Sequence, residues 1–426
     1  MSKFKLNIGI AGAGISGLVA GIELQRAGHH VSIFESSPRT GGRIQSIDVA
    51  GVLVETGPEF IHGHLKETLG LLKKYHIRYD LVHGKIYRAW DGKISETYEM
   101  ADGWDQLLDK MKSLDEDLPL NEFLEKYFPG ENFNQLKKAA IRFAEGFDLA
   151  DTGRASTKAL IREWEHEEAG QYRIPSGYGM LIHSAEKEFT NLGGKIFLNS
   201  RIERVDWDSG VLNLYVSGHK IINPDKLIIS LPLSLLNQIT PRSESVVFHP
   251  SIDEKQKAFS QIGYGTVIKI VMIWHSPFWK TMVPDAQFIV SDNFIPTWWI
   301  QYPHNIPVLT GWLGGPRAEQ LSDKPDSFFL EKAFESLSSL FSVSTEKIKH
   351  ELKDVRIFNW KNNPWSRGAY SYSLVGSGPA KAICRKSIQN RIYFAGEAYY
   401  DGPFPGTVEA AVVSGLETAR QLLSQQ

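Results

Sequence analysis

Residues 6–11 form a short, mainly apolar run near the start of the chain, the pattern of a strand buried on both faces in a parallel sheet. Six residues, Gly12-Ala13-Gly14-Ile15-Ser16-Gly17, interrupt it. Leu18, Val19, Ile22 and residues 24–27 then recur at helical spacing until Gly28 stops the helix, and residues 31–34 make a second apolar run that ends at Glu35. Further along, residues 104–149 alternate polar and apolar positions with helical periodicity. Residues 266–274 read as an almost wholly apolar strand, and 288–290, 298–301 and 308–313 as strands of a mixed sheet. Residues 326–341 predict a helix. A last helix starts near Gly406, because Val408, Ala411, Val412 and Leu416 return every three or four positions. No repeat or low-complexity tract interrupts this order.

Composition narrows the class. The 426 residues suggest two or three domains. With 42% hydrophobic and 23% charged residues, the chain is neither disordered, collagenous nor coiled coil. Lys and Arg number 47 against 49 Asp and Glu, a net charge of −2 with no global attraction to nucleic acid. The single cysteine, Cys384, excludes an internal disulfide framework and a Cys-rich metal site, and no metal-ligand or Ser-His-Asp constellation stands out. Residues 1–21 imitate a signal peptide, but the glycine pattern decides for a buried first strand. No apolar stretch reaches the ~18 residues of a spanning helix, and the C-terminus carries no lipidation motif. The expectation is a soluble, cytoplasmic protein with neither membrane nor nucleic-acid partner; the sequence does not specify an oligomeric state.

The opening segment carries the first chemistry. Gly12 permits a tight turn, Gly14 lets a pyrophosphate touch backbone, and Gly17 lets helix and strand pack closely. The helix N-terminus offers free N–H groups to phosphate. Glu35, about 20 residues beyond the glycines as the fingerprint requires, can accept from ribose hydroxyls and would repel a 2′-phosphate. Pro38-Arg39-Thr40-Gly41-Gly42-Arg43 follows at once. Its glycines and arginines can wrap a pyrophosphate a second time, with Arg43 as charge-assisted donor, and this suits a flavin dinucleotide held permanently. The plainer reading of Arg39 and Arg43 is ordinary surface charge.

The glycine turn, the acid and the G-G-R together resemble the flavin-containing amine oxidase superfamily, which includes monoamine oxidases, polyamine oxidases and histone demethylases. The resemblance runs through the whole chain. Glu55-Thr56-Gly57-Pro58-Glu59-Phe60-Ile61-His62-Gly63 looks like the segment passing beneath the flavin, and its end is most like polyamine oxidases. Gly177-Tyr178-Gly179-Met180-Leu181 looks like the return to the cofactor domain. Ile202-Glu203-Arg204-Val205 looks like the strand whose Val205 backbone meets the adenine. Residues 227–236, with Pro232, resemble the strand end that leaves again. Lys269 resembles the flavin lysine. Residues 360–370, including Pro364-Trp365-Ser366-Arg367-Gly368, resemble the stretch facing the flavin. Phe394-Ala395-Gly396-Glu397 and Gly406-Thr407-Val408-Glu409 resemble the closing motif, whose helix points at the cofactor.

The resemblance implies noncovalent FAD, held by Gly12 to Gly17, Glu35, Ser36, Arg39, Gly41, Gly42, Arg43, Gly57, Pro58, Glu59, Phe60, Val205, Trp360, Trp365, Ala369, Gly396, Glu397, Gly406, Thr407 and Val408. Noncovalent, because Ala369 stands where monoamine oxidases place the flavin-bonded cysteine. It implies Lys269, Tyr370, Trp360 and His62 at the reacting end. Lys269 would hold a water beside flavin N5, and desolvation would lower its pKa; a strand-edge lysine with a snorkelling head is the alternative. Tyr370 would form one aromatic wall, but Thr407 stands where monoamine oxidases have the second wall tyrosine, so the cage is incomplete. Glu59 or His62 could hold a distal amine, although a structural turn histidine fits equally. Glu163, Glu165, Glu167 and Glu168 could attract a polycation or form a solvated helix face. Trp298, Trp299 and Trp312 could line a pocket or a core.

The implied fold is α/β: a discontinuous Rossmann-like FAD-binding domain of residues 1–75, 175–240 and 356–426, and an inserted α+β substrate domain of 76–174 and 241–355 carrying a mixed sheet, its first insert helix-rich. The implied reaction passes a hydride from the carbon bearing a small-molecule amine to flavin N5. Imine hydrolysis follows, and O2 reoxidises the flavin to give H2O2. Rival readings are another flavin oxidation in the same fold (porphyrinogen oxidase or desaturase), a nicotinamide dehydrogenase and a non-catalytic flavin-binding module.

Overall fold

In the computed structural model, residues 5–90, 93–97, 100–165, 170–208, 210–236 and 245–425 are described. The first apolar run becomes the strand Asn7–Ala11, central in a five-stranded parallel sheet. Its neighbours are His30–Phe34, with Lys195–Phe197 beyond, on one side, and Lys226–Ile229, with Ile392–Phe394 beyond, on the other. Side chains alternate across the sheet. Ile8, Ile10, Ile33, Ile228 and Tyr393 enter one apolar cluster, and Phe34, Leu227, Ile229, Ile392 and Phe394 enter another. Both faces are covered, which is why these strands are apolar throughout.

On the first face lie the helices Ile15–Arg26, Gly179–Asn191 and Val408–Ser424. Glycines set their approach. A Cβ on Gly415 would sit 2.4 Å from the Ser16 carbonyl oxygen, and one on Gly21 would sit 2.8 Å from the Phe189 ring. On the second face lie the three-stranded sheet of Asn213–Val216, Ile202–Asp206 and Val247–His249 and the helices Asp253–Phe259 and Ser377–Arg385.

A seven-stranded sheet forms the other layer. Its order is Leu352–Asn359, Val267–Trp274, Val308–Gly314, Thr297–Ile300, Ala286–Ser291, Lys85–Trp90 and Lys93–Thr97. It is mixed: Ala286–Ser291 runs parallel to Lys85–Trp90, and the other pairs are antiparallel. Helix Asp326–Phe341 packs on one face, against Ile268, Ile270, Met272 and Trp274. The strand's alternation therefore sends Lys269 to the opposite face. Residues 76–174 were expected to be helix-rich. They do hold the helices Trp104–Lys112, Leu120–Tyr127, Asn134–Gly146 and Thr157–Trp164. They also contribute two edge strands to the mixed sheet, whose half-exposed residues carry little apolar signal. No helix of the described residues is long and apolar enough to cross a membrane.

Gly17 illustrates how tightly the first turn is built: a Cβ there would lie 2.2 Å from the Gly12 carbonyl oxygen. Gly17→Ala is expected to destabilise the protein by about 1–3 kcal/mol, read as a lower denaturation midpoint; an unchanged midpoint would remove the packing assignment.

Candidate functional site

A cavity of about 940 Å³ opens between the C-terminal ends of the parallel strands and the free face of the mixed sheet. At its narrow end stands the glycine turn. Gly12 has φ +100°, and a Cβ on Gly14 would meet nothing within 4 Å, so the turn presents bare backbone to the cavity. Helix Ile15–Arg26 has no side-chain cap, and the buried Ser16 Oγ has no hydrogen-bond partner among the described residues. An uncapped helix N-terminus with a free hydroxyl is an anion site awaiting its acceptor. Gly12, Gly14, Ile15 and Ser16 line the wall; Ala13 and Gly17 stand behind it. Ala13 donates its N–H to Glu35 Oε2 at 2.7 Å, and Ser37 donates to Oε1 at 2.8 Å, so the carboxylate is locked facing the cavity beside Ser36. The residues fit a dinucleotide: bare backbone for the phosphates, an immobilised acid for the ribose.

Arg39 donates to the carbonyls of Thr40, Ile44 and Gly42, folding its own loop. Gly41 and Gly42, at φ +99° and +58°, make that loop possible. Arg43 Nη1 donates to Ala369 O at 2.5 Å and to Glu397 Oε1 at 2.8 Å. Burial opposes its charge, but Tyr264 and Glu397 outweigh that and raise its pKa. Both guanidiniums line the cavity, and these contacts also fold its wall.

The segment 57–60 crosses the cavity wall. Gly57 is pressed so close to Arg43 that a Cβ would lie 2.1 Å from its carbonyl oxygen. Trp360 donates Nε1–H to Thr56 O at 3.0 Å and sits against Gly57. Behind this wall is Lys269, fully buried, with Nζ 3.0 Å from Glu59 Oε2 and 3.2 Å from Gly57 O. Its head is 5.4 Å from the Trp299 ring centroid. The reading of an edge lysine snorkelling to solvent is thereby overturned, and Lys269 does not itself line the cavity. Glu59 also accepts from Gln301 Nε2 at 2.8 Å and pairs with Arg173 Nη2 at 3.2 Å. Burial alone would raise the Glu59 carboxyl. Lys269 and Arg173, with the hydrogen bonds from Gln301 and Lys269, outweigh burial and hold it down at about 2.

The wide end is aromatic. Phe60, Phe147, Phe288, Trp299, Trp312 and Tyr370 line it. Tyr370 donates its hydroxyl to Phe147 O at 2.5 Å, and Trp312 donates Nε1–H to Gly146 O at 2.7 Å. Trp298, by contrast, is core with no exposure, because adjacent strand residues face opposite ways. His62 lines the chamber edge-on to Phe147, and burial lowers its pKa to about 4, so the ring is neutral at physiological pH.

The closing helix Val408–Ser424 begins at the cavity. Thr407 Oγ1 caps it by accepting from Ala410 N, and Gly406, φ +67°, lies where a Cβ would come 2.8 Å from the Tyr370 ring. Gly396, Glu397, Gly406, Thr407 and Val408 all line the wall, as do Pro58, Trp365 and Ala369. Cys384 is buried in the apolar cluster on the second face of the parallel sheet and does not line the cavity; burial pushes its thiol up to about 12.

One expected contact is absent. Val205 is fully buried between two paired strands and does not line the cavity. Ile202, at the irregular end of the same ladder, lines a smaller pocket of about 330 Å³ instead, together with Ser36, Leu231 and Trp365, which also line the main cavity. The bulge between Ile202 and Arg204 shifts the register, a feature periodicity does not reveal. Two further wall residues carried no sequence signal as a pair. Asp148 accepts from Trp164 Nε1 at 3.0 Å, and its carboxyl is raised to about 6, chiefly by burial, with hydrogen bonds to Glu163 and Trp164 opposing. Glu163 also lines the cavity. Of its acidic neighbours, Glu165 pairs with Lys112 at 3.1 Å, and Glu167 and Glu168 lie outside the described residues. No group of three His, Cys, Asp or Glu suited to a metal occurs among the described residues.

Comparison with known proteins adds the following. The family described as flavin containing amine oxidoreductase matches residues 15–423. Lysine-specific histone demethylase 1B of Mus musculus is 26% identical over 97% of this chain and 52% of its own length. Polyamine oxidase 4 of Oryza sativa subsp. japonica is 23% identical over 98% of this chain and 89% of its own. The chain thus spans about half the length of the histone demethylases it matches. Putrescine oxidase bound to putrescine superposes with TM-score 0.83 at 17% identity, and cyclohexylamine oxidase from Brevibacterium oxydans IH-35A with 0.81 at 15%, each over 99% of both chains. At those identities the likeness is one of fold.

Proposed function

The chain belongs to the family of flavin containing amine oxidoreductases, and we propose that it is an enzyme that holds FAD noncovalently and oxidises a small-molecule amine. The observation that carries this reading is a single cavity running from the glycine turn and Glu35, past the N-terminus of helix Val408–Ser424, to the aromatic chamber at Tyr370. One end suits a dinucleotide, and the other an apolar carbon beside an amine. Glu35 would take the ribose, and Gly12, Gly14 and Ser16 the phosphates. The first turn of helix Val408–Ser424 would offer partial positive charge to the bound flavin. Ala369 stands on the wall and Cys384 does not line the cavity, which leaves no thiol there for a covalent tether. Residues 1–75, 175–240 and 356–426 would form the cofactor side, and 76–174 and 241–355 the substrate side.

FAD, when bound, supplies the acceptor for a hydride from the carbon bearing the amine, with O2 as the terminal oxidant and water hydrolysing the imine. The chain's own residues orient and exclude water. Tyr370 and Trp299 offer ring faces that position an amine. Neutral His62 adds no positive charge to repel it.

Asp148 and Glu163 extend the proposal to the substrate: they suit a second, cationic centre on the amine, as in a diamine. Asp148 is neutral below about pH 6 and an acceptor for a cation above it. KM for a diamine should therefore fall as pH rises through about 6. Asp148→Asn is expected to raise that KM roughly tenfold above pH 6 and to flatten the difference between acid and neutral pH. Equal KM values in variant and wild type at pH 7.5 would dismiss the subsite.

The test of the whole reading is direct. Purified protein should be yellow, and amines added anaerobically should bleach the flavin band near ~450 nm. Yellow protein that no amine reduces would favour the binding-module reading; colourless protein that refuses added FAD would end the proposal.

A further inference from the structure

The wall segment 57–60 carries an acid whose partners are all protein. Glu59 is 9% exposed at the side chain, and its two oxygens meet Lys269 at 3.0 Å, Gln301 at 2.8 Å and Arg173 at 3.2 Å. Arg173 is itself buried, donates to Ile300 O at 2.9 Å and stacks 4.4 Å over the Phe60 ring. Lys269 faces Glu59 and Gly57 O from this segment, Trp299 from the strand Thr297–Ile300 two places away in the sheet, and Trp312 and Phe358 as its register partners. The other ionisable groups close enough to matter are Arg173 and Glu55, whose carboxyl burial raises to about 6. One acid thus sits between two cations at the back of the cavity wall.

We propose that Glu59 is a positioning residue for Lys269, pinning its ammonium against the Gly57 carbonyl, and that the trio Lys269, Glu59 and Arg173 presents one net positive charge to the cavity. This rests on the flavin reading above. An ion pair of this kind is a poor stabiliser, because desolvating both charges offsets their attraction. What it does supply is a charge of defined place and magnitude. It also explains how a lysine can occupy an otherwise apolar strand: the counter-charge comes from a segment 210 residues away in sequence. Glu59 is accordingly not free to hold the distal amine of a substrate.

The test reads charge directly in the bound flavin. Wild type, Glu59→Gln, Lys269→Met and the double variant are loaded with FAD and equilibrated anaerobically with one redox dye couple at pH 6. Charge counting gives the trio +1, +2, 0 and +1 in that order. The reduced-to-oxidised flavin ratio should rise on the order of tenfold in Glu59→Gln and fall on the order of tenfold in Lys269→Met, the effect of a unit charge about 10 Å away at an effective dielectric of about 20. The double variant should return to within a few-fold of wild type. A Glu59→Gln ratio equal to wild type overturns the proposal. Should that variant fail to fold, the double variant decides, because it buries neither charge of the pair: a ratio equal to that of Lys269→Met overturns the proposal. Protein that takes up no flavin overturns the functional reading and this inference together; yellow protein with unchanged ratios overturns the positioning role alone.

Discussion

Arg43→Met should cost about 3 kcal/mol of stability and strip the protein of cofactor. Arg43 ties three distant stretches together: its own loop, the carbonyl of Ala369 and the carboxylate of Glu397. Glu397 is 5% exposed at its side chain and also accepts from Ser371 N–H and Oγ–H. Removing the guanidinium leaves that acid buried with neutral donors only, and breaking such a pair costs about 3–5 kcal/mol. The low end applies, since a quarter of the Arg43 side chain is uncovered where it faces the cavity. Tyr264, whose hydroxyl burial pushes up to about 12, gives no replacement charge. The double variant Arg43→Met, Glu397→Gln removes both charges and should recover part of the loss. Urea denaturation of the FAD-free proteins measures this. Equal midpoints for Arg43→Met and wild type would show that the pair carries no weight in the fold.

Lys269→Met is expected to keep the yellow colour and to lose roughly 10²-fold in turnover, the scale of removing one fixed positive charge behind the wall of a reacting centre. Methionine matches the lysine stem in volume, and Glu59 retains Arg173 and Gln301, so the wall should stay in place. The loss should therefore appear in kcat with cofactor loading intact. Rapid-mixing measurements that separate flavin reduction by amine from reoxidation by O2 would show which half carries it. Turnover at the wild-type rate would remove Lys269 from the chemistry.

The elements that position the site were legible wherever one periodicity ran unbroken. The first strand and helix, the strand Val267–Trp274 and the helix Asp326–Phe341 all fall where their apolar patterns place them. The glycine turn was legible for a stronger reason: Gly12 takes a positive φ and a Cβ on Gly17 has no room. Signals failed where a residue's partner was remote. Nothing local names Glu397 as the acceptor of Arg43. Glu59 looked like a substrate anchor because its three partners lie on other segments. The resemblance placed Val205 at the adenine, and no local pattern reports its burial between two paired strands.

By itself, then, the order of residues determined the first strand, helix and glycine turn, the apolar strand that carries Lys269 and the helix Asp326–Phe341, all of which follow from sterics and side-chain direction within a few residues. Only the tertiary structure decided which charges meet. Arg43 joins Glu397 across 354 residues and Lys269 joins Glu59 across 210. A charge has no period and no preferred sequence distance; once buried, it takes whichever counter-charge the packed sheets bring within reach.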